Sequence, residues 1–312
     1  MKKIFYFVLL SFFASSPFAF SLVDYGGTNQ LNPEENNTFR PASPKKMTNS
    51  YSSAGSTSKA RGFKYLQFNT FYDSLSVDYQ DIQAKVSTLH ANLIFSTPYN
   101  LFAEVRYFQG QTSNRDISGK SSLQGGNPYA KIGFNWLQIG TREDNARVDL
   151  FGAFSAGMKQ SALASTRTDK IAGVESSRRF YDFVLALGGE VVITGDPEDK
   201  SELAIGNIFK MGAAIGWVVS EDIRLSLETN YYKINERSDK TAYRLSEGLS
   251  FSTISPLLTL GFSSIFELKM GAHLRVKRAQ TANKNENLLD AKLFNIPAVY
   301  GNSIFAGLNI SV

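Results

Sequence analysis

The chain contains two histidines, His90 and His273. A histidine can act as the general base for a serine nucleophile if the hydroxyl lies within about 3 Å of the imidazole and a third group orients the ring. Glu228 and Glu267 are possible neighbours of His273, and serines are abundant. Because no spacing selects one serine, we favour two hydrogen-bonded structural histidines and expect that the protein is not an enzyme.

Motifs for metals and cofactors are missing from the sequence. The chain has no cysteine, no His-Glu-x-x-His pair and no glycine-rich phosphate loop, which are the usual signatures of thiolate, zinc and nucleotide sites. Asp196, Glu198 and Asp199 form an acidic turn that could hold Ca²⁺ weakly, although a solvated turn is the favoured interpretation. We therefore predict no metal site and no cofactor.

Both histidines lie in segments that alternate between apolar and polar residues. In residues 266–276, Leu268, Met270 and Leu274 fall on one face of a strand, whereas Glu267 and His273 fall on the other. A period of two residues predicts a β-strand. One such strand proves little, because a soluble sheet can be wet on one side, but the pattern recurs from residue 62 to the C-terminus.

Eleven strands are evident in this region, and a barrel with both termini on one side needs an even number. Gly188-Gly189 followed by Glu190-Val191-Val192-Ile193 can supply a turn and a twelfth strand. We predict an all-β, up-and-down antiparallel transmembrane barrel of about twelve strands, with ten or fourteen as alternatives. Short turns are predicted near 97–100, 141–145, 220–222 and 263–265, and long loops near 110–127, 160–178, 233–243 and 278–292.

The N-terminal region divides into two predicted segments before the barrel of residues 61–312. Residues 1–21 have a basic start, an apolar run and small residues before Leu22, which predicts a signal peptide. Residues 22–60 show no period and predict a flexible periplasmic arm, with a plug in the barrel mouth as the alternative. Without residues 1–21 the net charge falls from +5 to +3, because two lysines and no acid are lost. Nucleic acid is therefore not implied as a partner.

The last strand carries a further signal. Gly307-Leu308-Asn309-Ile310-Ser311-Val312 resembles the C-terminal assembly signal of Gram-negative outer-membrane β-barrel proteins, although it ends in valine rather than in an aromatic residue. The resemblance covers residues 62–312 in architecture and names no specific family. It implies a location in a bacterial outer membrane, contact with the lipid bilayer, and binding of the outer-membrane assembly machinery through the C-terminal strand.

The polar faces of the predicted strands hold more bases than acids. The bases are Arg106, Lys131, Lys159, Lys210, Arg224, Lys269, Arg275 and Lys277, and the acids are Glu104, Asp149, Glu228 and Glu267. As lumen-lining groups, this set would favour anions. The alternative is that these charges pair across strands and satisfy one another.

Three functions follow from this pattern as expectations. The first is a passive channel or porin-like transporter for small solutes, anions among them, in which Lys210, Arg224, Lys269 and Arg275 lower the entry barrier. The second is a structural or surface-binding barrel with a closed lumen, which would use loops 110–127, 160–178 and 278–292. The third is a barrel-embedded hydrolase that uses His90 or His273.

Overall fold

The computed structural model describes residues 65–79, 82–97, 99–112, 123–140, 144–220, 222–238, 243–263, 265–281, 283 and 285–312. The predicted signal peptide (1–21) and arm (22–60) lie outside this part of the chain. The described elements are β1 (Tyr65–Tyr79), β2 (Ile82–Ser96), β3 (Leu101–Thr112), β4 (Gln124–Gly125), β5 (Tyr129–Gly140), β6 (Asp144–Ser155), β7 (Asp169–Phe180), β8 (Phe183–Ile193), β9 (Ile208–Val218), β10 (Ile223–Ile234), β11 (Leu249–Gly261), β12 (Phe266–Lys277), β13 (Gly301–Ser311) and a 3₁₀ turn (Leu288–Ala291). No helix in these ranges is both long and apolar enough to cross a membrane.

Twelve strands form one closed antiparallel barrel, and the two-residue β4 pairs beside β3. The barrel closes between the first and last strands, because β1 pairs with β13 in continuous register from Gln67↔Ser311 to Val77↔Gly301. Closure pairs the backbone groups that an open sheet would leave exposed at its edges. The predicted fold class and the strand number of twelve are confirmed.

One predicted turn, at Gly188-Gly189, was wrong. Gly188 and Gly189 do not form a turn, because β8 runs through them and pairs them with Glu175 and Val174 of β7. The strand missing from the sequence interpretation is β7, which occupies most of the predicted loop 160–178. Since β7 carries polar residues on both faces, its period is weak. The true turn lies at residues 181–182, where Tyr181 has a φ of 52°.

Side chains alternate between the lumen and the exterior. In β10, Glu228 and Tyr232 are buried, whereas Leu225 and Leu227 are exposed. The same outward exposure of apolar side chains is seen on ten further strands, at Phe68, Leu93, Val105, Ile132, Leu150, Val174, Leu185, Ile215, Leu274 and Leu308. An apolar exterior around a polar interior is the arrangement that a hydrocarbon solvent requires.

The two ends of the barrel differ. The turn end carries the connections 97–100, 141–143, 181–182, 219–222 and 262–265, together with the start of β1 and the end of β13. The loop end carries the connections 113–128, 156–168, 194–207, 235–248 and 278–300, and also the two residues 80–81 between β1 and β2. The predicted sorting of short turns and long loops is therefore present, with the β1–β2 connection as an exception.

The loop end contains the largest apolar cluster of the described residues, which we call the loop-end core. Inner-wall residues at the loop ends of the strands, among them Val77, Val192, Ile208, Ile234 and Leu249, pack with buried loop residues. The aliphatic loop residues of this core are Leu163, Leu203, Ile205, Leu245, Leu288, Leu289, Leu293, Ile296 and Val299. Hydrogen bonds join the loops to one another, as from Leu203 N to Asp290 O (3.2 Å) and from Leu245 N to Ala204 O (2.9 Å). The described parts of loops 156–168, 194–207, 235–248 and 278–300 therefore fold together over the end of the lumen.

Candidate functional site in the lumen

The inner wall of the described strands carries equal numbers of basic and acidic side chains. The bases are Arg106, Lys131, Arg147, Arg179, Lys210, Arg224, Lys269 and Arg275, and the acids are Asp73, Glu104, Asp149, Asp169, Glu175, Glu190, Glu228 and Glu267. The structure thus places nine of the ten predicted lumen residues on this wall, His273 included. The sequence prediction missed six of these charges, namely Arg147, Arg179, Asp73, Asp169, Glu175 and Glu190. Three of the six, Asp169, Glu175 and Arg179, were missed because they lie in β7.

Lys159 does not line the lumen. It lies in the loop after β6, and its ammonium group pairs with the exposed Glu198 carboxylate at 2.6 Å. Lys277 is also exposed, because a register shift at Ser252 and Thr253 turns the end of β12 outward, where Lys277 donates to Ser250 Oγ (2.8 Å). These two corrections and the additional acids remove the excess of bases on which the preference for anions rested.

Most inner-wall charges have an opposite charge nearby. Lys131 Nζ lies 3.0 Å from Glu175 Oε1 across β5, β6 and β7, and Lys210 Nζ lies 4.0 Å from Glu190 Oε1 on the adjacent strand. The guanidinium groups of Arg106 and Arg224 contact Glu104 and Glu267, respectively. The Lys131–Glu175 and Arg224–Glu267 pairs each span one intervening strand, whereas Arg106 and Glu104 lie on the same strand, β3. All of these pairs compensate in part for the cost of burying charge.

The exposure of these charges differs from place to place along the inner wall. Near the turn end, the side chains of Arg147 and Glu267 are 11% and 18% exposed. Deeper in the barrel, the side chains of Lys210 and Glu104 are 1% and 2% exposed. Water therefore reaches Arg147 and Glu267 on the inner wall, whereas Arg179, also near the turn end, is only 5% exposed.

A row of stacked rings crosses five neighbouring strands of the inner wall. His90 lies between Phe71 and Phe108, with ring centroids 4.3 Å and 5.0 Å away. Phe305 continues the row, edge-on to Phe71 with centroids 6.2 Å apart and stacked on His273 with centroids 4.7 Å apart. Both histidine rings therefore pack against aromatic rings of the inner wall. Aromatic contacts of this kind stabilise a fold by about 0.5–1.5 kcal/mol each beyond the effect of burial.

Inward glycines make room for aromatic rings of the inner wall. A Cβ added to Gly271 would lie 2.6 Å from Phe305 Cζ, and one added to Gly133 would lie 2.1 Å from Phe102 Cζ. Each phenylalanine thus lies flat over a glycine of the next strand. The arrangement fills the interior while the backbone ladder stays intact.

The structure brings each histidine to a hydroxyl. Ser255 Oγ lies 2.9 Å from His273 Nδ1, and Thr88 Oγ1 lies 2.7 Å from His90 Nε2. Glu228 lies opposite Ser255 in register, whereas Glu267 contacts Arg224 and Asn309 instead. The Ser255–His273 distance meets the requirement for a nucleophile pair, but both side chains are almost fully buried inside the wall. The prediction that the protein is not an enzyme stays a prediction.

The acidic turn does not gather its carboxylates around one point. Asp196 contacts Arg237, Glu198 pairs with Lys159, and Asp199 accepts hydrogen bonds from Ser201. No group of three potential metal ligands occurs in the described part of the chain.

A buried ionic cluster at the loop end was not predicted. Glu202 is fully buried and accepts hydrogen bonds from Thr166 N (2.9 Å), Thr166 Oγ1 (3.0 Å) and Ser165 Oγ. Arg167 Nη1 lies 3.5 Å from Glu202 Oε1 and donates to Ala291 O at 2.7 Å. The cluster ties three loops together at the closed end of the lumen.

The chain matches no protein-family model and no curated protein. It is similar in structure to an outer membrane channel from Pseudomonas putida F1, with a TM-score of 0.56 and 10% identity over 80% of this chain and 95% of that chain. It is also similar to the NanC porin, with a TM-score of 0.45 and 10% identity over 78% and 98% of the two chains. Escherichia coli outer membrane phospholipase A gives a TM-score of 0.43 and 13% identity over 78% and 92%. The likeness to the Pseudomonas putida channel shows that the chain folds as a β-barrel of the bacterial outer-membrane class, which agrees with the predicted location.

Proposed function

We propose that the barrel is a passive channel for small molecules, with a vestibule open at the turn end and a loop end that is closed in the described conformation. The observation that carries this proposal is the polar inner wall with its eight bases and eight acids. If the barrel served only to hold the loops, apolar side chains could fill its interior at a lower free-energy cost, because burying ion pairs is expensive. Charged walls suit a lumen that contains water and solutes.

The balance of charge bears on the solutes. Equal numbers of bases and acids give the lumen no overall preference for anions over cations. Arg224 and Lys269 face Glu267 near the turn end, so an entering ion meets both signs at the same level. We therefore expect small solutes to be selected by size more than by charge.

Planar-bilayer recording tests this proposal. A variant in which a short Gly/Ser linker replaces residues 285–298 removes part of the loop-end core and leaves β12 and β13 intact. The matched control replaces the exposed residues 198–200, which lie outside that core, by Gly/Ser. The first variant should show current steps with a reversal potential near zero in a salt gradient, and the control should behave like the native protein.

A folded barrel that lacks current in the first variant would overturn the channel proposal. Retention of the heat-dependent gel shift of folded barrels shows that the variant has folded. A strong preference for anions or cations would instead overturn the argument from charge balance.

A closed structural barrel is the second candidate, and the loop-end core favours it. Exposing only three of its aliphatic side chains would cost about 5–9 kcal/mol. At that cost the loop end is open in fewer than about one molecule in a thousand. In that case the folded loops form the functional surface, and neither of the two variants described above would conduct current in the planar bilayer.

A further inference from the structure

The ladder between β11 and β12 is interrupted at Pro256. Register pairs run from Leu260↔Leu268 to Leu257↔Gly271 and resume at Ile254↔Leu274, but none forms between residues 255–256 and 272–273. Proline has no N–H to donate, so it is normally confined to sheet edges and bulges. A closed barrel has no edge, and Pro256 therefore marks a weak point within the wall.

A side-chain hydrogen bond spans this weak point on the lumen side. Ser255 and His273 flank the interruption, and their 2.9 Å contact joins the two strands where backbone bonds are missing. A side-chain contact can break and reform without exposing a backbone ladder to hydrocarbon, which is the costly step in separating strands inside a membrane. The wall can thus separate here more easily than at an uninterrupted pair of strands.

An apolar groove of about 600 Å³ lies on the outer face at the same place. Its lining includes Trp217, Leu225, Pro256, Leu258 and Met270, from β9 to β12. Of the outward residues of β11 in this stretch, Ile254, Leu258 and Leu260 are only partly exposed and Pro256 is exposed, whereas the outward residues of β10 are all exposed. The volume is in the range of small-molecule sites, and the groove opens onto the apolar belt.

We propose that this groove binds a small apolar molecule dissolved in the membrane, and that the interrupted β11–β12 ladder is where such a molecule passes between the bilayer and the lumen. The passage rests on the proposed channel function, and the binding site does not. The occupant is apolar because the lining offers it apolar side chains and because it arrives from hydrocarbon. A molecule that passes through the wall reaches the lumen without any opening of the loop-end core. From the lumen it can reach water through the proposed vestibule at the turn end.

Tryptophan quenching tests the binding site. The chain has two tryptophans: Trp217 lines the groove, and Trp136 is exposed on β5 outside it. In proteoliposomes, bromonaphthalene should quench a Trp136→Phe variant, which reports Trp217, in a saturable manner. It should quench a Trp217→Phe variant only in proportion to its concentration in the membrane. Equal, unsaturated quenching of both tryptophans would show ordinary bilayer contact and would overturn the site.

Strand cross-linking tests the passage. The chain has no native cysteine, and Ile254 and Leu274 are outward register partners beside the interruption that do not line the groove. An Ile254→Cys, Leu274→Cys disulfide should abolish the protein-dependent transfer of a naphthalene fluorophore from proteoliposomes to cyclodextrin in the buffer, and a reductant should restore it. The control disulfide, Leu150→Cys with Val174→Cys, joins β6 to β7 in an uninterrupted ladder and should change nothing.

Each outcome separates the passage from the channel. Transfer that continues in the Ile254–Leu274 disulfide would overturn the passage through the wall and leave the channel proposal standing. Silence of the loop-shortened variant in the bilayer, together with no transfer by the native protein, would overturn the channel and the passage together. A Pro256→Val variant, which restores an N–H to the ladder, should slow transfer without changing ion current in the loop-shortened background.

Discussion

Replacing Glu202 with alanine should loosen the loop end without unfolding the barrel wall. Glu202 is fully buried, and its carboxylate contacts Thr166, Arg167 and Ser165, with Lys292 Nζ at 3.9 Å. The alanine variant leaves the Arg167 guanidinium buried with only Asp169 (3.1 Å) as its carboxylate partner. Removing one member of a buried ionic cluster costs about 3–5 kcal/mol.

The assay is amide hydrogen exchange followed by mass spectrometry. A loss of about 3–5 kcal/mol in local stability lowers protection by about two to three and a half orders of magnitude. We expect this change in peptides covering residues 163–168, 202–206 and 288–293, because the ionic cluster joins these segments. Peptides from β9 and β10 should keep their protection, since the wall does not depend on Glu202.

The matched control is Glu198→Ala. Glu198 pairs with Lys159 in the same pair of loops, but both side chains are well exposed, and exposed pairs contribute little. Exchange in this variant should equal that of the native protein. If Glu202→Ala and Glu198→Ala gave the same exchange profile, the idea that the buried cluster holds the loop end closed would be wrong.

Two further predictions concern packing and pH. Gly133→Val should lower the free energy of unfolding in urea by about 1–3 kcal/mol, because an added Cβ would overlap the Phe102 ring. The control is Gly152→Ala, whose Cβ would meet no atom closer than 3.8 Å, and its free energy of unfolding should stay near that of the native protein. Burial and the hydrogen bond to Asp290 raise the pKa of Tyr243 to about 12, so its stabilisation of the loop end should be complete below pH 10 and lost as the pH rises through 12. Protease sensitivity of the loops measures this loss, which a Tyr243→Phe variant should not show between those pH values.

The wall of the barrel was predictable from the sequence because its period is local. β10 and β12 alternate so regularly that the inward positions of Arg224, Glu228 and Glu267 followed from spacing alone. β7 was not predictable in this way. Its outward face includes Lys170, Ser176 and Arg178 beside Val174, so neither face is clearly apolar. Because β7 was not predicted, the turn was assigned wrongly to the glycine pair in β8.

The loop end could not be predicted from the sequence, because its contacts join loops far apart in the chain. Arg167 and Glu202 are 35 residues apart and Arg167 and Ala291 are 124 apart, and neither spacing carries a period. The failure at Lys159 has the same origin, since its segment continues the apparent alternation of β6 beyond Ser155, where the strand ends. The signal available was the run of apolar residues at 288–299, which is unusual for a solvated loop.

The twelve long strands should each turn one face to hydrocarbon and the other to a polar lumen. The most direct test is a nitroxide scan of residues 223–233 in β10, with each residue changed in turn to a spin-labelled cysteine in proteoliposomes. Collision with membrane-dissolved oxygen should alternate, high at Leu225 and Leu227 and low at Ser226 and Glu228. Equal oxygen accessibility along the strand, or a period near 3.6 residues, would contradict the barrel and every proposal that depends on its lumen.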